Sequence, residues 1–412
     1  MFSRPGPESL WADPDWRRYW ISRVVSYAGG TVTYVAAPIL VYAISGSALL
    51  TGITTATEGL PYLLFGLIAG ALSDRVDRRR LMVSADLLNA AVLATVPFAA
   101  AFGRLTVPHV ILAGFVSMTV FVFFDAANFG AVPTLVGKDR ISAANAVIWG
   151  STQVFDVVLP GLVGVLVAFI SPSTLYWVNA FTFLASALLI RSISRSLTGE
   201  RSPDTQRLRD DVLTGITWLW AHPILRTLTF VGTATAFAAG ALMGQLVPFA
   251  DVVLGIRQGD VRLGALFAVF SAGGLAASIT ARFLFSYSPA RISLLATSAM
   301  SGVLLVIAIP HDWRITLVLT FLFGLTNVTA VLNLINYRQE VTPEDLQGRV
   351  NTTGRMLSWG IGGPSGALTG GLVAHLLGPA AGVAAGAIIL SIGMVFAWRS
   401  PLGHVPIRRQ LV

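Results

Sequence analysis

Three carboxylates stand inside stretches that are otherwise apolar: Glu58, Asp125 and Asp156. Arg23 and Arg355 are basic counterparts in similar stretches, and Asp86 lies near the start of another. A charge at bilayer depth costs about 2.5–3.5 kcal/mol on insertion scales, so such residues face a cavity or one another and mark a pathway. Burial disfavours the charged form of a carboxyl group, which is the property a proton carrier needs. Glu58, Asp125 and Asp156 are therefore the candidates for proton coupling. The structural alternative for each is a carboxylate paired with a buried arginine or hydrogen-bonded to Ser or Thr, with Arg23 and Arg355 as available charge partners. Those two arginines can instead snorkel to the near interface or bridge the two halves of the chain. Asp86 is close enough to the end of its stretch to reach the loop arginines.

Polar and aromatic groups in the same stretches are candidates to line a substrate cavity: Tyr27, Tyr62, Trp149, Gln153, Gln245, Asn327, Asn333, Asn336 and Trp359. A wide apolar cavity with few polar groups suits bulky amphiphilic compounds. Pro160-Gly161 and Gly363-Pro364 with Gly366 read as close helix packing plus a bend, fit for a gate. No enzyme signature emerges. The five histidines lie in loops or at the ends of apolar stretches. No His/Cys/carboxylate cluster has metal-ligand spacing, and no G-x4-G-K-[ST] phosphate loop occurs. No metal and no cofactor are expected.

The elements that must position these groups are membrane helices. Hydrophobic residues make up 54% of the chain and charged residues 12%, about half the roughly 25% of a soluble domain. Twenty apolar residues span a bilayer. That ruler predicts twelve spans, near 19–44, 49–73, 80–102, 107–131, 143–170, 173–193, 225–252, 262–285, 290–310, 314–337, 348–376 and 378–398. Arg104, Arg257, Arg262 and Arg314 fall in loops on one side, and nearly every other basic residue falls on the opposite side. The basic side is cytoplasmic by the positive-inside rule, which places both termini inside. The net charge of +8 thus suits anionic lipid rather than nucleic acid. Residues 1–18, with Trp11 and Trp16, read as a cytoplasmic lead-in. Residues 194–224 read as a cytoplasmic linker whose second half is an interfacial amphipathic helix anchored by Trp218 and Trp220. They divide the chain into six-helix halves, 19–193 and 225–398, followed by a tail, 399–412.

Residues 66–81, GLIAGALSDRVDRRRL, join the second and third spans through a very short basic loop. With Gly70, Asp74, Arg75, Arg78 and Arg79 the stretch resembles the G-x3-D-R-x-G-R-R loop of the major facilitator superfamily, with Asp77 in place of the glycine. The D-R-x-D-R-R-R form is similar to the drug:proton antiporter branch that includes macrolide-efflux and siderophore-export proteins. A second-half echo of the loop falls near Leu284–Arg291, and VGKDRISAA at 136–144 parallels VTPEDLQGR at 341–349.

The resemblance implies an all-α integral membrane protein of twelve transmembrane helices in two pseudo-symmetric halves. It implies a bacterial inner-membrane exporter of drug, macrolide or siderophore class, working by alternating access in exchange for protons. Asp74 would cap the start of span eleven in one conformation, making Gly70, Asp74, Arg75, Arg78 and Arg79 a conformational latch. Many relatives carry an arginine in span four that tunes the proton site, whereas 107–131 holds none. The expected partners are an amphiphilic substrate, protons and lipids, with the protein a monomer. A proton-coupled importer of a nutrient or metabolite is the alternative on the same fold.

Overall fold

The computed structural model describes residues 10–73, 75–198, 216–257, 259–309, 312–343 and 346–407, and the chain there is helical. Among the described residues ten helices are long and apolar enough to cross a membrane: α1 (Pro14–Ser45), α4 (Arg78–Ala101), α5 (Val107–Val136), α6 (Ile141–Leu166), α7 (Pro172–Arg191), α8 (Pro223–Val252), α9 (Val261–Thr280), α10 (Pro289–Ile307), α11 (Trp313–Val341) and α14 (Pro379–Arg399). The other two predicted spans are interrupted. The second comprises α2 (Ala48–Thr57) and α3 (Leu60–Ser73). The eleventh comprises α12 (Gln347–Arg355), a π-helical segment (Met356–Gly362) and α13 (Gly363–Leu377).

Pro61 and Pro364 stand just after the two interruptions, and each lacks an amide hydrogen and crowds the carbonyl four residues back, which weakens the ladder there. In span two the failure falls at Glu58-Gly59. In span eleven the backbone widens to a π-helix, a form that recurs at functional sites.

The N-terminal lead-in ends sooner than expected. The Asp13 side chain accepts hydrogen bonds from the amides of Asp15 and Trp16, Pro14 follows, and α1 starts there rather than at residue 19. Trp16 and Tyr19 are fully buried in the bundle, so they are not interfacial. In the linker, residues 199–215 lie outside those described. Leu219 packs with Leu225 and Val350, while Trp220 remains exposed.

The halves repeat a device at one end. Arg79, in the first turn of α4, donates to the carbonyl of Arg195 just beyond α7. Arg291, in the first turn of α10, donates to the carbonyl of Gly403 just beyond α14 (2.6 Å). At the opposite end, which carries the 45–47 and 253–260 loops, one apolar core runs through both halves. It joins Val35, Ile39 and Val163 to Leu246, Leu263 and Leu266. Two helix crossings seal it. A Cβ on Gly52 of α2 would meet the Ala367 carbonyl oxygen of α13 at 2.5 Å, and a Cβ on Gly164 of α6 would meet the Gly264 Cα of α9 at 2.9 Å. Two polar contacts join the halves there as well. Tyr42 donates to Asp251 (2.8 Å), and the Gln245 amide donates to the Ala48 carbonyl (3.2 Å).

Candidate functional site

Helix α1 organises the carboxylates. Arg23, Tyr27 and Tyr34 follow at intervals of four and seven residues, which places them on one face of a helix. Arg23 and Tyr27 each contact a different acidic residue. Arg23 pairs with Asp125 of α5 (3.6 Å), and the Tyr62 hydroxyl of α3 donates to the same carboxylate (3.3 Å). The Arg23 guanidinium also lies over the Phe124 ring, 4.9 Å from its centroid. Tyr27 donates to Asp156 of α6 (2.5 Å). Tyr34 lies in the electrostatic neighbourhood of Glu58, at the break in span two, and of Asp156. With a rise of about 1.5 Å per residue, the face from Arg23 to Tyr34 covers roughly half of a 30 Å hydrocarbon core.

The three carboxylates differ in setting. Asp125 is 13% exposed and held by a cation, a guanidinium that is itself 8% exposed. Asp156 is open on one side and held by a neutral phenol. Glu58 is half-buried where the backbone of span two is irregular. Non-helical backbone at membrane depth is tolerated where protein or a cavity covers it, and here π-helical residues of span eleven lie alongside. A Cβ on Gly360 would meet the Leu63 Cβ at 3.4 Å, so the two interruptions face each other across the halves.

Several expectations are corrected. Arg23 does not bridge the halves, because its partner Asp125 belongs to the same half. Asp86 does not reach the loop arginines. It is fully buried, two turns into α4, where Arg23 is the cation that faces it. Gln245 and Asn333 are buried in helix packing instead of lining a cavity. Gln245 binds Ala48, and Asn333 donates to the Thr329 carbonyl of its own helix (2.9 Å). Asn327 is half-buried with its amide toward the Met300 sulfur (3.8 Å), and Asn336 is exposed. Pro160 lies inside α6, which is continuous from Ile141 to Leu166. Asp74 lies outside the described residues, and the side chains of Trp149, Gln153, Arg355 and Trp359 lie outside those described.

The latch residues make these contacts among the described residues. Arg78 donates to the Gly130 carbonyl of α5 (3.0 Å), and its guanidinium occupies the space a side chain at 130 would fill. Asp77, where the family motif has glycine, caps α4 by accepting from the Arg80 amide (3.0 Å). Gly70 accepts a hydrogen bond from the Ser73 hydroxyl (2.8 Å), and Arg75 continues the turn after α3 through its amide.

A family model described as "Transmembrane secretion effector" matches residues 10–408. The chain is a major facilitator. This facilitator is 32% identical to the multidrug efflux pump Tap of Mycolicibacterium fortuitum over 89% of its own length and 90% of that protein. It is 23% identical to the enterobactin exporter EntS of Shigella boydii over 93% of its length and 91% of that protein. Among solved structures it is similar to a bacterial homolog of the lysosomal transporter Spinster (TM-score 0.73, 13% identity, 96% of this chain and 97% of that one). The nucleoside transporter NupG is comparably similar in fold (TM-score 0.73, 10% identity, 95% and 99%). The protein is thus a multi-pass membrane transporter of the major facilitator fold.

Sequence reading missed Tyr34, Tyr42 and Asp251. Asp251 stands one residue inside the predicted end of span seven, where a carboxylate passes for an interfacial residue. Its contact with Tyr42 needs the two halves together. The spacing of Arg23, Tyr27 and Tyr34 was a usable signal for the face of α1.

Proposed function

We propose that this facilitator exports small amphiphilic compounds, of drug, macrolide or siderophore class, in exchange for protons. The observation that carries the proposal is the gathering of Asp125, Asp156 and Glu58 along one face of α1, each beside a group able to give or hold a proton or a charge. The names of its relatives, a multidrug efflux pump and an enterobactin exporter, support the outward direction. In the resembling family the arginine that tunes the proton site comes from span four. Here the arginine, Arg23, comes from span one and its partner acid, Asp125, from span four.

In this reading protonation of Asp125 from the cavity removes its attraction for Arg23, and the pair opens. Substrate binds between the halves, and they rock about the crossings of α2 with α13 and of α6 with α9. The membrane is the bacterial inner membrane, with both termini cytoplasmic and the sealed end external.

Efflux of dyes and antibiotics from a pump-depleted bacterial host, with and without an uncoupler, tests the proposal. Wild type should lower accumulation only while the proton gradient stands. Asp125→Asn should lose this, and Asp156→Asn and Glu58→Gln should weaken it. Three variants that all pump like wild type would overturn the proton-site assignment. Accumulation that rises with the gradient would overturn export.

A further inference from the structure

Near the Arg23–Asp125 pair, inside the helix packing, lies a set of buried polar groups without partners. Asp86 and Asn89 of α4 and Ser186 of α7 are completely buried, and Ser26 of α1 nearly so. Both Asp86 oxygens, both Asn89 amide atoms and the hydroxyls of Ser26 and Ser186 have no hydrogen-bond partner of good geometry among the described protein atoms. The Nε of Arg23 is in the same condition. Ser186 stands beside Asp86, and Arg23 faces it from α1 at more than ion-pair distance. The helices packed against Asp86 offer no other described charge: α7 contributes neutral groups, and α5 contributes Asp125, already paired with Arg23.

The charge count is decisive. Arg23 carries one positive charge, and Asp86 and Asp125 would carry two negative charges if both were ionised. A buried charge without a partner is not sustained, and a carboxyl group in that position neutralises instead. A buried polar group left without a partner calls for an explanation of this kind. We propose that Asp86 is a second proton-binding site of this transporter, sealed in the helix packing and linked to Asp125 through the single guanidinium of Arg23. While Arg23 pairs with Asp125, as in this structure, Asp86 holds a proton on one carboxyl oxygen, with Ser186 beside the neutral acid. When Asp125 is neutral, Arg23 is free to compensate an ionised Asp86. The cluster therefore keeps one proton in one of two places. This assignment extends the proton-coupled reading above, but its test needs no transport.

Infrared difference spectroscopy of the purified full-length protein in lipid vesicles reads the C=O stretch of a protonated carboxyl directly. Wild type at neutral pH should show such a band, shifted by carbon-13 labelling of aspartate and absent in Asp86→Asn. Ser186→Ala, a milder change that leaves the carboxyl in place, should move the band frequency. In Asp125→Asn, where only Asp86 remains for Arg23, the band should fall to less than half its wild-type intensity. An aspartate band missing from wild type, or one unmoved by Asp86→Asn, Ser186→Ala and Asp125→Asn, would overturn the proposal. A band that appears only after sodium is removed would also overturn it, identifying a sodium site. None of these outcomes depends on whether efflux is proton-driven, which the uncoupler experiment decides separately.

Discussion

Arg23 serves two acids. It is nearly buried, pairs with Asp125, covers the Phe124 ring and faces Asp86. Removing one partner of a buried pair usually costs about 3–5 kcal/mol, because the other charge is stranded. Here each acid can stand in for the other. Asp86→Asn and Asp125→Asn should each melt within about 1 kcal/mol of wild type. The double variant leaves Arg23 with no described anion and should lose several kcal/mol more than the sum. Thermal unfolding of the four proteins in one detergent measures the coupling, and additivity would show that Arg23 does not connect the two. Asp156 is different: its partner Tyr27 is a neutral donor, so Asp156→Asn should leave stability nearly unchanged while altering transport.

Glycine sets the closeness of the helices where the halves meet. Gly164 of α6 faces Gly264 of α9, and Gly52 of α2 faces Ala367 and Gly371 of α13. A side chain at either crossing forces the helices apart, and overpacking typically costs about 1–3 kcal/mol. Gly164→Val should lower the melting temperature measurably. Gly302→Val, on α10, where a Cβ meets nothing within 4 Å, should change stability by no more than about 0.5 kcal/mol. The interruptions of spans two and eleven belong to the same scale. Each lies just ahead of a proline, and their juxtaposition brings irregular backbone from both halves near Glu58.

Across the whole molecule the two halves are joined at one end by a shared apolar core, two glycine crossings and the Tyr42–Asp251 hydrogen bond. At the other end the apolar clusters belong to one half each, as with Trp16, Met82 and Ile190 in the first half and Leu219, Leu225 and Val350 in the second. Tyr42→Phe removes one hydrogen bond, worth about 0.5–1.5 kcal/mol net, and should raise the population opened at the sealed end by roughly 2- to 10-fold. The chain has no cysteine, so spin labels at Arg104→Cys and Arg257→Cys report the distance across that end without background. A distance distribution unchanged by Tyr42→Phe would show that the bond does not hold the halves together.

The membrane class, the twelve spans and the basic loops were readable in the chain because they depend on local quantities: runs of apolar residues about 20 long and the side on which arginines fall. The resemblance carried by Gly70, Asp74 and the arginines was local too, and it led to the right superfamily. Which charges meet was not readable. Tyr27 and Asp156 are 129 positions apart, Tyr42 and Asp251 are 209 apart, and Arg23 had several acids within plausible reach. Only the packing of α1 against α5, α6 and α7 chose among them. The same packing moved Asp86 from an expected loop contact to a sealed interior, and Gln245 from an expected cavity wall to a clamp between halves. A helix sequence gives the angular position of each side chain, but the neighbour it meets depends on how that helix is rotated and tilted in the bundle, and long-range contacts set both.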